Sequence, residues 1–194
     1  MNKADWDPNY KHPGKTTVRL TLFWVSNYYQ DTSQKVLKKA EQMLAEHGLG
    51  LDIYPKSRQS APKHTIQIPG DPTQLLVNDP QNNPYDYNWL RNQAAAIFDD
   101  QATPDKRQRL PVFFCQFKSA GYGITVLNSN WLPYCMIGVN TDPDGYCLMH
   151  EIIHAATNTA AHCNTPKGNV FGDIPGNVMI RAHVQSVAKA YFAR

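Results

Sequence analysis

Charge is scarce in this chain of 194 residues: charged side chains make up 18% of it, against about a quarter in ordinary soluble domains. Glutamate is the rarest acid, at Glu41, Glu46 and Glu151. That composition excludes a disordered polyelectrolyte and a long solvated coiled coil. Lys and Arg are scattered, with no basic block, and the formal net charge is only +3, so no nucleic-acid partner is expected. Long apolar runs are missing too. Stretches such as Leu22 to Val25 and Leu110 to Phe114 fall far short of the ~18 residues that cross a bilayer, so no membrane span is expected. The start MNKADWDPNY has no apolar core of the kind a secretory leader carries. The four cysteines, Cys115, Cys135, Cys147 and Cys163, contain no CxxC pair, which argues against a thiolate zinc site or a redox pair and leaves buried thiols or two disulfides open. Internal repeats and low-complexity segments are absent as well.

What is present is a globular pattern rich in turns, with 14 Pro and 11 Gly, in a length that suits one domain over residues 1–194. Residues 1–15 hold two prolines and no periodicity and are expected to be an extended lead-in, ordered only by docking. Thr17 to Val25 alternates like a strand with one buried face. After a cap at Asp31, Thr32 or Ser33, the spacing of Val36, Ala40, Met43 and Leu44 predicts a helix that Gly48 stops. Short strands follow at Leu51 to Tyr54 and His64 to Ile68, then a turn-rich connection from Asp71 to Pro84. A second helix is expected from about Asp86, with Leu90, Ala94, Ile97 and Phe98 on one face. Strands at Leu110 to Phe117, Gly121 to Leu127, as an edge, and Cys135 to Val139 complete an α+β order, a twisted mixed sheet with two packed helices.

Chemistry concentrates in the last third. Thr141 or Asp142 before Pro143 predicts a helix beginning near Asp144, and within it stands His150-Glu151-Ile152-Ile153-His154. Histidines four apart share a helix face, about 6 Å between Cβ atoms, and can hold one metal ion. Glu151, about 100° around the helix, can reach a water on that metal and take its proton. With seven histidines and three glutamates in 194 residues, chance would assemble this pattern about four times in a thousand such chains, so it is read as a zinc site. Leu148, Ile152, Ala155 and Ala156 supply the face that packs into a core.

Two histidines leave the site incomplete, since a catalytic zinc takes three protein ligands and keeps one position open. His162 is the leading third ligand, because Asn158 and Thr159 are poor helix continuers and Asn tolerates the left-handed turn that would swing the chain back. Asp173, Cys163 and His183 are the competitors.

The run from His150 to His162, taken with Pro175-Gly176-Asn177-Val178-Met179, resembles the metzincin clan of zinc metalloendopeptidases. The first segment is similar to the clan's elongated zinc motif and the second to its Met-turn, whose methionine forms a floor under the metal. Ile180, Val184, Val187, Ala188 and Tyr191 recur as expected of the helix that follows that turn. The resemblance implies a zincin-like fold in which residues 16–155 carry the sheet and the active-site helix. Residues 156–194 then carry the third ligand, the Met-turn and the C-terminal helix. Thr157 and Ala160 stand where the clan has a glycine and its third ligand, and His162 comes two residues late, so the competitors stay open. No Tyr follows Met179; Tyr146, Tyr122 and His183 are the remaining candidates to stabilise an oxyanion. Clan members bind substrate along an edge strand, and Gly121 to Thr125 is the strand this implies.

The function expected is a zinc-dependent metalloendopeptidase in which His150, His154 and His162 hold Zn²⁺ and Glu151 is general base and acid. Alternatives are a zinc amidase acting on cell-wall peptide, and a non-catalytic metal-binding or toxin-like module. Protein or peptide substrates are the implied partners, with a proteinaceous inhibitor or immunity protein as a further one. A hydrolase able to damage its own cell favours secretion or delivery by a dedicated export system over a cytoplasmic site. No calcium loop is expected, because Asp142, Asp144 and Asp99-Asp100 lack regular ligand spacing.

Overall fold

The computed structural model describes residues 3–25, 33–68, 87–99, 106–117, 123–128, 131–138 and 144–194. Strand β1 (Thr16–Val25) is mostly β-branched and aromatic, TTVRLTLFWV, side chains that suit a pleated, packed surface. It pairs in parallel with β2 (Leu49–Tyr54), β3 (Thr65–Ile66) and β4 (Leu110–Cys115). β4 pairs in parallel with β6 (Trp131–Gly138), and β5 (Gly123–Asn128) runs antiparallel to β6 at the edge. The result is an α+β structure with a mixed six-stranded sheet in the order β2-β1-β4-β6-β5, β3 lying off that path on β1. Four α-helices accompany it among the described residues: α1 (Ser33–Glu46), α2 (Tyr87–Ile97), α3 (Cys147–Thr157) and α4 (Arg181–Lys189).

The pleat sorts the apolar side chains into two cores. Val18, Leu20, Leu22 and Trp24 of β1, Val112 and Phe114 of β4, and Cys135 and Ile137 of β6 pack with α1, α3 and α4. Their strand neighbours Phe23, Val25, Phe113, Cys115, Tyr134 and Met136 form a second core with Leu90 and Ala94 of α2. β1 is therefore buried on both faces from Leu20 to Val25, where its sequence alternation predicts one buried face. The reason is its central position, with α2 covering the side opposite the other helices. Arg109 ties β1 to β2 from below, donating to Leu20 O and Asp52 O and pairing with the Asp52 carboxylate.

Several boundaries move from their sequence-based positions. β2 begins at Leu49 and β6 at Trp131, both earlier than expected, and the strand expected over His64 to Ile68 narrows to Thr65–Ile66, because His64 ends a 3-10 turn, Pro62–His64. α3 begins at Cys147, three residues after Asp144: Gly145 sits at φ +80 against Lys35 and Lys39 of α1, a left-handed conformation that a helix cannot include. Gly48 ends α1 as expected, at φ +76. The lead-in is docked rather than extended throughout. It contains a 3-10 turn at Lys3–Trp6; His12 N donates to His47 O and Arg181 N to Asp7 O, and the Arg181 guanidinium lies 4.8 Å from the Tyr10 ring centroid. The chain end also pairs back on β1, Thr17 N donating to Arg194 O and Arg19 N to Phe192 O. The caps at Asp31 and Thr32, the connection from Asp71 to Pro84, Thr141 to Pro143, Asp100, Val139, and Gly121 with Tyr122 lie outside the described residues.

Candidate metal centre

Helix α3 lies between the sheet and α4 with every residue from Cys147 to Ala155 buried. Leu148, Ile152 and Ala155 pack into the core with Ala156 against it, as the sequence suggests, while Cys147, His150, Glu151 and His154, though buried themselves, line the cleft. Asn158 adopts the left-handed conformation at φ 50, ψ 43, and the reversal it imposes brings His162 back over the helix.

There the three imidazoles converge. His150 Nε2 and His154 Nε2 are 2.9 Å apart and His154 Nε2 and His162 Nε2 3.1 Å; all three ligating atoms lie within 4.8 Å of one another. Each opposite ring nitrogen is held by an oxygen: His150 Nδ1 donates to Val170 O at 2.8 Å, His154 Nδ1 to Thr159 O at 2.6 Å, and His162 Nδ1 to Asp173 Oδ1 at 2.7 Å.

These partners decide the tautomers. A carbonyl or carboxylate oxygen only accepts, so each Nδ1 carries a proton, and in the neutral ring each Nε2 presents a bare lone pair. Burial, the main cause, pushes the His150 pKa down to about 4 and lowers that of His154 as well, which favours the neutral form of both rings. Three lone pairs pointing together cannot hydrogen-bond to one another. A shared cation would satisfy them, and three nitrogens at about 2.0–2.1 Å from a tetrahedral zinc stand about 3.3 Å apart, close to the 2.9 and 3.1 Å spacings here. Imidazole donors whose far nitrogens are fixed by carbonyl and carboxylate oxygens are the donor set of a histidine metal site. A triad of two buried imidazoles and one exposed one, able to hold a metal ion, is thus present, and His162 rather than its competitors completes it.

Glu151 sits beside the triad on the wall formed by β5. Thr125 Oγ1 lies 2.6 Å from Glu151 Oε2 and 2.9 Å from Glu151 O. Burial pushes the Glu151 pKa up to about 7, with the Thr125 contacts opposing the rise. Gly123 makes room for this side chain. A Cβ there would stand 2.6 Å from Cys147 Sγ and 2.9 Å from Glu151 Oε1. The cleft has a volume of about 320 Å³ and is lined by the triad, Glu151, β5 from Gly123 to Thr125, and Asp173 with Pro175.

No protein-family model and no curated protein matches this chain. What the site is therefore rests on its own geometry.

The ring touching all three histidines is Phe171, with centroids 5.6, 4.6 and 6.0 Å from His150, His154 and His162. Met179 is buried in the main core. Its turn acts on the site through the backbone: Val178 N donates to Gly168 O, Val170 N to Val178 O, and Gly176 N to Asn169 O. This fixes Val170, whose carbonyl holds His150. Gly176 is obligatory there, since a Cβ would lie 2.2 Å from Gly168 O.

The other nominated residues stand apart from the triad. Cys163 Sγ turns to Thr165 O, His183 is buried against Phe171 at 5.3 Å, and Tyr146 packs under Lys39. None of the four cysteines forms a disulfide. Asp173 meets His162 from behind. Thr125, Phe171, Val170 and Thr159 carry no motif and were not legible beforehand; only the edge-strand pattern of Gly121 to Leu127 hinted that Thr125 borders the site.

Proposed function

We propose that this chain is a zinc-dependent metalloendopeptidase on a metzincin-like scaffold, with His150, His154 and His162 holding Zn²⁺ and Glu151 as general base and acid. The observation that carries the reading is the convergence of three Nε2 atoms, each ring fixed from behind by an oxygen at its Nδ1, beside a buried carboxylate in an open cleft. Zinc, when bound, activates water as a nucleophile and polarises a carbonyl. Glu151 accepts the proton of the attacking water and delivers it to the leaving amine. Thr125 donates to the Glu151 carboxylate and keeps it aimed. β5 ends the sheet and has no further strand partner among the described residues, so an extended peptide can lie along it through main-chain hydrogen bonds. The turn from Pro175 to Met179, bonded to the segment that holds His150, supports the metzincin likeness.

Elemental analysis of wild type, His162→Ala and Glu151→Gln after identical dialysis, followed by a peptide-library digest, tests this. About one zinc per wild-type and Glu151→Gln chain, with far less in His162→Ala, is expected. Cleavage should fall by about 10²-fold or more in Glu151→Gln. A wild type that takes up no metal when zinc is supplied overturns the reading. So does a zinc-loaded wild type that cuts no peptide in the library.

A further inference from the structure

Among the three histidines, His162 is the one the helix does not hold. His150 and His154 project from α3 and are buried, while His162 lies on the following loop with its side chain 33% exposed. A loop imidazole keeps three or more orientations unless something fixes its ring, and each free torsion weakens the set of three. We infer that Asp173, braced by Asn164, is the positioning residue for His162 and not itself a ligand; the inference rests on the metal-site reading above.

Both carboxylate oxygens of Asp173 are already engaged. Oδ1 accepts from His162 Nδ1 at 2.7 Å and Oδ2 accepts from Asn164 Nδ2 at 2.6 Å, while Asp173 N donates back to Asn164 Oδ1 at 2.8 Å. The Asn164–Asp173 exchange is reciprocal, so the carboxylate plane is fixed by two bonds before it meets the imidazole. Direct ligation by Asp173 would have to use an oxygen that already accepts one of these bonds. Phe171 N donates to Asn169 Oδ1 and Gly172 N to Asn169 O, which folds the loop so that Asp173 arrives behind His162. Space is committed as well: a Cβ on Gly172 would lie 2.9 Å from Asn164 Oδ1. The device explains how a third histidine placed eight residues after His154 still reaches the other two. The loop supplies a carboxylate where the helix-borne rings use backbone carbonyls, and a carboxylate partner makes an imidazole the more basic donor.

The test uses the full chain as wild type, Asp173→Ala, Asp173→Asn and His162→Ala, with two measurements. Zinc affinity is read by competition with a chromophoric chelator, and the visible bands of the Co²⁺-loaded protein report the ligand set. The tautomer of His162 in the metal-free protein is read from its ring ¹⁵N shifts. Asp173→Ala is expected to keep one site per chain, to bind zinc about 10–100-fold more weakly, and to lose the pure Nδ1–H tautomer of His162. Asp173→Asn, which keeps an oxygen in place, should recover part of both. Unchanged affinity and tautomer in Asp173→Ala overturn the inference. It is also overturned if Asp173→Ala abolishes the Co²⁺ bands while His162→Ala keeps them, since Asp173 would then be the ligand. A wild type without metal affinity removes the proposed function, and the tautomer measurement still decides whether Asp173 sets the His162 ring.

Discussion

Gly123 and Glu151 face each other across the wall of the cleft so closely that a single methyl on Gly123 would lie 2.9 Å from Glu151 Oε1. Strand β5 thus leaves a slot for the carboxylate, and the slot is closed by any side chain. Gly123→Ala is expected to displace Glu151, to lower peptide cleavage at least tenfold, and to cost about 1–3 kcal/mol of stability through overpacking. Zinc content should be unchanged, because the atoms nearest to that Cβ belong to Cys147 and Glu151 and not to a histidine. Since Cys147 Sγ is the nearest atom at 2.6 Å, adding Cys147→Ala should restore part of the activity. Steady-state kinetics with parallel metal analysis checks both variants.

Thr125→Val removes the hydroxyl beside Glu151 Oε2 with little change in volume. Burial, the main cause, raises the Glu151 pKa, and the Thr125 hydroxyl and backbone both oppose it; valine keeps the backbone bond, so loss of the hydroxyl alone raises it further. In the proposed mechanism the base is the ionised form. The acid limb of the kcat/KM profile should therefore move to higher pH, by about one unit for a bond to a charged group. A limb that stays in place or moves to lower pH contradicts the assignment of Glu151 as base.

His183 gives a stability prediction on the acid side. Its Nδ1 is buried without a hydrogen-bond partner, and burial pushes its pKa down to about 4. The unfolded chain binds this proton below its ordinary value of 6.5, the folded chain only below about 4. Stability contributed by the neutral ring is thus complete above pH 6.5 and is lost as pH falls toward 4, up to about 3 kcal/mol. His183→Leu should lose less stability than wild type between pH 7 and 4.5, measured by urea midpoints at each pH. Equal losses in the two proteins would show that this ring does not set the acid limb.

Ile174 is 85% exposed, between two residues that line the cleft, Asp173 and Pro175. An aliphatic side chain so placed at a rim offers apolar contact to a bound peptide. Ile174→Ser should leave the urea midpoint within about 0.5 kcal/mol of wild type and raise KM for peptides with large apolar side chains several-fold, kcat changing little. A KM unaffected across a peptide panel would show that Ile174 stands clear of the substrate.

Much of the architecture was legible because its causes are local. The order of strands and helices follows from short-range patterns: alternation in TTVRLTLFWV, the spacing of Val36, Ala40, Met43 and Leu44, and Gly48 at the end of α1. Asn158 was legible for the same reason, since an Asn after a helix tolerates the left-handed turn. The burial of β1 on both faces was not, because it depends on α2, which lies about 65 residues further along the chain. The start of α3 shifted because Gly145 meets α1, a contact its neighbours in sequence do not announce.

His150, Glu151 and His154 were determined by the sequence alone, because helix geometry by itself puts residues four apart on one face and the residue between them within reach. Only the tertiary structure decided the rest of the site. Choosing His162 over Asp173, Cys163 and His183 depends on where a left-handed turn and a loop braced by Asn164 carry the chain. The acceptors behind the rings come from Val170, Thr159 and Asp173, the hydroxyl at Glu151 from β5, and the ring beneath from Phe171. Those partners are specified by long-range packing, and no spacing rule relates their positions in sequence to the motif they serve.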